Sequence, residues 1–183
     1  MVYAKWAAFV PLSFLVEIVG KLGSPVLAFF CDESGWLPSW LSWFQTPDNP
    51  CDGDAGHLER WPRNGLFWTW VRRTAWLFRN TAYGFNIDVI GFKHQEGDVK
   101  EVIGDPSVGD VSGVSGLCKW YVRRQGELVA FQIYYVKHYQ IFGVWKCVRA
   151  GIGWKVWGSP GPGRVYGQHW IYFHPLKGSG LEE

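Results

Sequence analysis

The sequence predicts an α+β fold: apolar and amphipathic helices first, then an antiparallel β meander of about six or seven strands. Three observations predict it. Residues 6–30 form a 25-residue run in which only Glu17 and Lys21 are charged. Residues 66–80 contain neither Gly nor Pro and space their apolar side chains at helical intervals. Beyond Ala82 the pattern changes to short apolar runs bounded by turn residues.

The first run is long enough to span a bilayer. Pro11, Gly20, Gly23 and Pro25 interrupt it, and two charges near its middle are costly in lipid unless they pair. Glu17 and Lys21 stand four apart with the acid first, the favourable orientation on a helix. A broken or interfacial membrane helix, a core or subunit-interface helix, and a signal sequence all remain open. Next come Trp36, Trp40 and Trp43, recurring at helical spacing, with a helix start near Pro38. That stripe suits either a lipid headgroup boundary or a core. A loop rich in Pro, Asp and Gly follows over residues 45–59. In the helix over 66–80, Phe67, Trp70, Val71 and Leu77 share a side from which Arg72, Arg73 and Arg79 are absent.

Strands are expected over residues 85–92, 99–103, 117–124, 128–136, 141–149, 152–157 and 169–173. Gln125 to Glu127 close a hairpin, Ala150-Gly151 make a second tight connection, and Gly-rich loops fill 104–116 and 158–167. Several strands carry aromatics on both faces, so helices are expected against one face and a subunit, membrane or sheet layer against part of the other. The domain reading is an apolar helical segment over residues 1–35 and a single α+β domain over 36–183. Its helices run to residue 80 and its meander covers 85–175.

Thirteen Trp among 183 residues point to surfaces where an apolar ring and a polar N–H are both served, such as wet interfaces and membrane boundaries. Trp6, Trp36, Trp40 and Trp43 are therefore the candidate membrane or partner contacts. Charge is segregated along the chain. Residues 31–59 carry six acids and no Lys or Arg, whereas residues 111–177 carry nine basic residues against Glu127 alone. A basic β half favours an anionic partner through Lys119, Arg123, Arg124, Lys146, Arg149 and Lys155. Nucleic acid is the less favoured partner, because no RNP-type motif, helix-turn-helix or zinc finger accompanies these residues.

The acidic loop offers one metal pattern. With Asp48 at position 1 of a calcium loop, Asp52 falls at 5, Gly53 at 6 and Glu59 at 12. Pro50 occupies the third ligand position, so the candidate is a non-standard Ca²⁺ site built from Asp48, Asp52, Asp54 and Glu59. The competing reading makes these acids turn and N-cap residues that answer Arg60, Arg63, Arg72 and Arg73. No other cofactor is expected. The five His lack ligand spacing, and no nucleophile elbow, P-loop or dinucleotide fingerprint occurs, so the reading leans away from an enzyme. Four Cys without close spacing exclude a disulfide scaffold. Cys31 and Cys51 flank a loop-rich stretch and leave one or two bridges open against buried or unpaired thiols.

The run from Trp36 through Trp40, Trp43, Pro47 and Asp48 to Asn49, then Asp52-Gly53-Asp54, resembles an uncharacterised family of small proteins encoded by tailed bacteriophages and prophages. Trp76-Leu77-Phe78-Arg79-Asn80 with Ala82-Tyr83-Gly84-Phe85, and Gly151-Ile152-Gly153-Trp154-Lys155, belong to the same resemblance. It covers most of the chain and implies a phage origin and a helical N-terminus joined to a β domain. Family members begin with a more uniformly apolar segment, from which Glu17 and Lys21 depart. The expectation is an accessory protein at the host inner membrane, held by its N-terminus and binding a protein or anionic partner through its β domain. The alternative is a virion component, a minor tail or head protein whose aromatic surfaces meet neighbouring subunits, including copies of itself.

Overall fold

A computed structural model describes residues 1–61, 65–156 and 167–181. The fold is α+β, helices followed by a five-stranded antiparallel sheet. Two compact units divide the chain. One comprises Met1–Ala7 with Gly91–Glu183, the other Ala8–Ile90.

Helix α1 (Val2–Leu27) contains both Pro11 and Pro25. A proline strips the amide that would bond the carbonyl four residues back, and for Pro25 that carbonyl belongs to Lys21. Ser24 Oγ donates to it at 2.9 Å, so the lost bond is replaced from within the turn. The single turn Ala28–Phe30 follows, and Ser39–Phe44 forms a 3₁₀ helix behind Pro38, where a helix start is expected. The short helix α2 (Ala55–Leu58) is capped by Asp54, whose side chain accepts from the His57 amide at 2.8 Å. Helix α3 (Leu66–Arg79) matches the expected amphipathic helix to within one residue. The core of this unit gathers Leu27, Ala28, Leu37, Cys51, Trp76 and Leu77.

Gly20 lies where α1 meets Thr81 and Phe44. A Cβ there would fall 1.9 Å from Thr81 Oγ1 and 2.8 Å from Phe44 Cδ1, closer than any real contact. Gly20→Ala should therefore cost about 1–3 kcal/mol through overpacking. Chemical denaturation checks this, with Gly23→Ala as a control, since a Cβ at Gly23 meets nothing nearer than 3.8 Å.

The sheet runs β1 (Val99–Ile103), β2 (Gly116–Arg124), β3 (Glu127–Ile141), β4 (Val144–Trp154) and β5 (His169–Gly178), in sequential order and all antiparallel. Two expectations need correcting. Residues 85–92 are not a strand: Phe85–Val89 form a π-helical turn in which the Ile90 amide bonds the Phe85 carbonyl. Burial explains this, because Phe85 and Ile90 are both inside while Val89 between them is exposed, a spacing that strand alternation cannot provide. Phe92 alone pairs, bridging Gly167. The meander has five strands because the three expected over 128–136, 141–149 and 152–157 are two long ones. They are joined at Phe142 and Gly143, whose φ values of 50° and 79° suit a tight hairpin. Ala150 and Gly151 lie inside β4, where a Cβ on Gly151 would press on the rings of Tyr172 (2.8 Å) and Trp170 (3.0 Å). The hairpin at Gln125 and Gly126 forms where expected. The Gly-rich loop expected over 158–167 lies outside the described residues except for Gly167.

One sheet face carries the buried side chains of Trp120, Val122, Tyr134, Val136 and Trp170, and Asp110 reaches it through the Tyr134 hydroxyl at 3.5 Å and Arg149 at 3.0 Å. On the other, the start of α1 packs on an aromatic cluster. Tyr3 lies 4.6 Å and Trp6 5.8 Å from the Phe131 ring, Trp6 stacks on His169, and Trp154 closes the group.

Candidate functional site

Beyond Ala7, helix α1 is sided in the reverse of the usual sense. Its buried positions are Ser13, Gly20, Ser24 and Leu27, mostly small residues, while Leu12, Phe14, Leu15, Ile18, Val19, Leu22 and Val26 are exposed. At 100° per residue the exposed set spans a little under half of the helix circumference, and the buried set lies on the other side. Ser13 Oγ donates to Asn86 Oδ1 at 2.8 Å, so a hydroxyl on the inward face is satisfied by the protein. Glu17 and Lys21 sit on the flank of that inward face and pair at 2.5 Å, as their spacing predicts. Large apolar side chains outward and small ones inward suit a helix whose outer face meets an apolar surface, whether lipid or another protein. A water-facing helix buries its large side chains instead.

The apolar surface continues past the helix. Phe29 and Phe30 are exposed, as are Trp40 (67%) and Trp43 (47%), whose rings lie edge-on to Phe30 and Phe85. A cleft of about 350 Å³ opens between Phe29, Leu66, Phe67 and Trp70. The Trp70 indole N–H donates to the Pro25 carbonyl at 2.8 Å, fixing one wall. Of the four Trp expected at a membrane or partner, Trp40 and Trp43 present their rings to solvent. Trp36 is half-buried, and Trp6 packs on the sheet, because His169 and Phe131 offer it an aromatic bed.

The four acids of the expected Ca²⁺ site are not brought together. Among the described residues no three of His, Cys, Asp and Glu stand close enough to share an ion. Asp48 and Glu59 are exposed, and Asp54 caps α2 while lying 3.8 Å from Arg79. Asp52 is taken up by two cations: Arg72 Nη2 donates to Oδ1 at 2.5 Å and Arg73 Nη2 to Oδ2 at 2.9 Å. Burial raises the Asp52 carboxyl, but the hydrogen bonds from Arg73 and Arg72 outweigh it and hold the group below the usual carboxylate value. Arg63 lies outside the described residues.

The cations of the sheet are largely answered within their own unit. Arg124 pairs with Asp98 (2.7 Å), Arg123 reaches Glu101 at 3.5 Å, and Arg149 binds Asp110 at 3.0 Å and the Tyr172 hydroxyl at 2.8 Å. Lys119 and Lys146 are half-buried on strands. Lys155 donates to Gln168 Oε1 at 2.7 Å and lies over the Trp170 ring. Burial, then the nearby Arg149 charge, lowers its pKa to about 8. A lysine depressed in the folded state favours unfolding below that value, because the unfolded chain keeps the proton up to about pH 10.4. Lys155→Met should therefore be more stable than the parent at pH 7 by roughly 1 kcal/mol. The gain should vanish above the unfolded lysine value, which denaturation series at pH 7 and 11 compare.

Sequence reasoning anticipated a sheet face needing cover but not its composition. Register places Leu117, Tyr135, Ala150 and Phe173 in one row and Lys119, Ile133, Ile152 and Ile171 in the next. Leu117, Tyr135, Ile171 and Phe173 are exposed.

The chain belongs to DUF7338, a family of unknown function whose profile matches residues 1–180. No curated protein and no solved structure matches it.

Proposed function

We propose that this is a membrane-associated accessory protein, held at a bilayer by the outward apolar face of α1, with its sheet domain available to a protein or anionic partner. The observation that carries the reading is the reversed siding of α1. The helix from Val2 to Phe30 is long and apolar enough to cross a membrane by length and composition, and only 28% of its most apolar window is buried. A core helix of a water-soluble domain hides that window. Trp40 and Trp43 supply amphipathic rings beside it, as residues at a headgroup boundary do. The placement of Glu17 and Lys21 on the flank of the inward face reduces the cost of two charges in such a helix.

The resemblance to tailed-phage and prophage proteins supports the host inner membrane as the bilayer. Expressed in a bacterial host, the full-length protein should sediment with membranes and resist extraction by alkaline carbonate while dissolving in detergent. Recovery in the soluble fraction without detergent ends this reading.

A second reading, a virion component such as a minor tail or head protein, is favoured by the exposed sheet row of Leu117, Tyr135 and Phe173, a surface suited to a neighbouring subunit. Peptide maps of purified virions decide it: absence of the protein removes it.

A further inference from the structure

We propose that the open face of the sheet is a second membrane contact, which docks on a leaflet of anionic phospholipid. It rests on the membrane association proposed above, for which it names the headgroup chemistry. Strand register sorts the sheet into two faces of different character. On one of them Leu117, Ile133, Tyr135, Ile152, Ile171 and Phe173 form an apolar surface across β2 to β5, each exposed or half-buried. The same face carries Lys119, Arg123, Lys137 and Lys146, and Glu101 is the acid that the register sets beside them. Arg123 answers Glu101 at 3.5 Å. Lys119, Lys137 and Lys146 make no ion pair among the described residues. The cations of the opposite face are answered, Arg124 by Asp98 at 2.7 Å and Arg149 by Asp110 at 3.0 Å.

Three features select the occupant. The unanswered charge is of one sign, so a second copy laid on this face would set lysine against lysine, whereas anionic headgroups complement it. Lysine also suits the geometry. Lys119 stands opposite Ile133 in register and Lys137 opposite Val148, so each aliphatic stem has an apolar neighbour from which its ammonium can reach a phosphate. Finally, the first turns of α1 are seated on this face. Met1–Ala7 belong to the sheet unit, and Tyr3 and Trp6 lie 4.6 Å and 5.8 Å from the Phe131 ring. Phe131, Ile133, Tyr135 and Lys137 follow one another along β3, from that seat through the apolar surface to the basic end.

The test places an environment-sensitive fluorophore on the full-length protein carrying Cys31→Ser, which removes the half-exposed thiol and leaves three buried ones. The label stands at Phe173→Cys on the open face or at Val102→Cys, which the register sets on the other face opposite Trp120. Vesicles of phosphatidylcholine, alone or mixed with phosphatidylglycerol, are compared at low and high salt, with flotation recorded alongside. Emission at position 173 should rise and shift to the blue with the anionic vesicles at low salt, revert at high salt and stay unchanged with phosphatidylcholine, while position 102 stays silent. Exchanging Lys119, Lys137 and Lys146 for Gln should weaken this contact roughly a hundredfold, about fivefold for each cation lost beside an anionic surface, whereas Arg at the three positions retains it. Flotation with both lipids while the label at 173 stays in water overturns the sheet contact and leaves the α1 reading standing. Flotation with anionic vesicles at low salt alone, with position 173 responding, does the reverse, and no flotation overturns both. A response at both positions, one that survives the Gln exchange, or one that appears without lipid as the protein is concentrated in detergent, the mark of a second copy, also overturns the sheet contact.

Discussion

Exchanging Leu15, Ile18 and Leu22 together for Gln should move the full-length protein from the membrane pellet to the supernatant. All three lie on the outward face of α1, at 58%, 55% and 79% exposure, so their removal costs the folded unit little packing. Each forfeits about 2 kcal/mol of apolar transfer, which together amounts to roughly a ten-thousandfold change in partition. The matched control replaces inward-facing Ser13 and Ser24 with Ala. That variant keeps its place in the membrane and loses stability instead, because Ser13 bonds Asn86 and Ser24 repairs the break at Pro25. Equal partitioning of the two variants would mean that the helix does not meet lipid by the face the structure exposes.

The second large effect belongs to Asp52. Asp52→Ala should destabilise the helical unit by about 3 kcal/mol, since Arg72 and Arg73 would be left with side chains only 10% and 11% exposed and without their carboxylate. The carboxyl is depressed in the folded state, so its contribution is fully present above the unfolded value near pH 3.9. It is lost as pH falls through the folded value. Urea denaturation between pH 2 and 7 should show the parent losing this stability in acid while Asp52→Asn, already weaker at pH 7, lacks that part of the decline. Parallel curves for the two proteins would place the acid sensitivity elsewhere.

Signals carried by residues close together in the sequence were the legible ones. Helix α3 follows from an uninterrupted apolar spacing, the hairpin at Gln125-Gly126 from its turn residues, and the Glu17–Lys21 pair from a separation of four. What could not be read locally depends on a partner distant in sequence. Gly151 looks like a turn until the rings of Trp170 and Tyr172 on β5 require its missing side chain. The stretch after Gly84 looks like a strand until Phe85 must reach Trp43 and Ile90 must follow it inside. The acids of residues 48–59 match a calcium loop in spacing, but Asp52 is claimed by arginines twenty residues on. The candidate membrane face had the same limit. Composition marks α1 as apolar, whereas its reversed siding emerges only once Gly20 is set against Thr81 and Phe44.

The most direct measurement is flotation of the purified full-length protein with neutral and with anionic liposomes, each at low and at high salt. Insertion of the outward face of α1 predicts flotation with both lipids, unchanged by salt, because apolar transfer is not screened as ion pairing is. A protein that stays at the bottom of the gradient, or floats with anionic lipid at low salt alone, would contradict it.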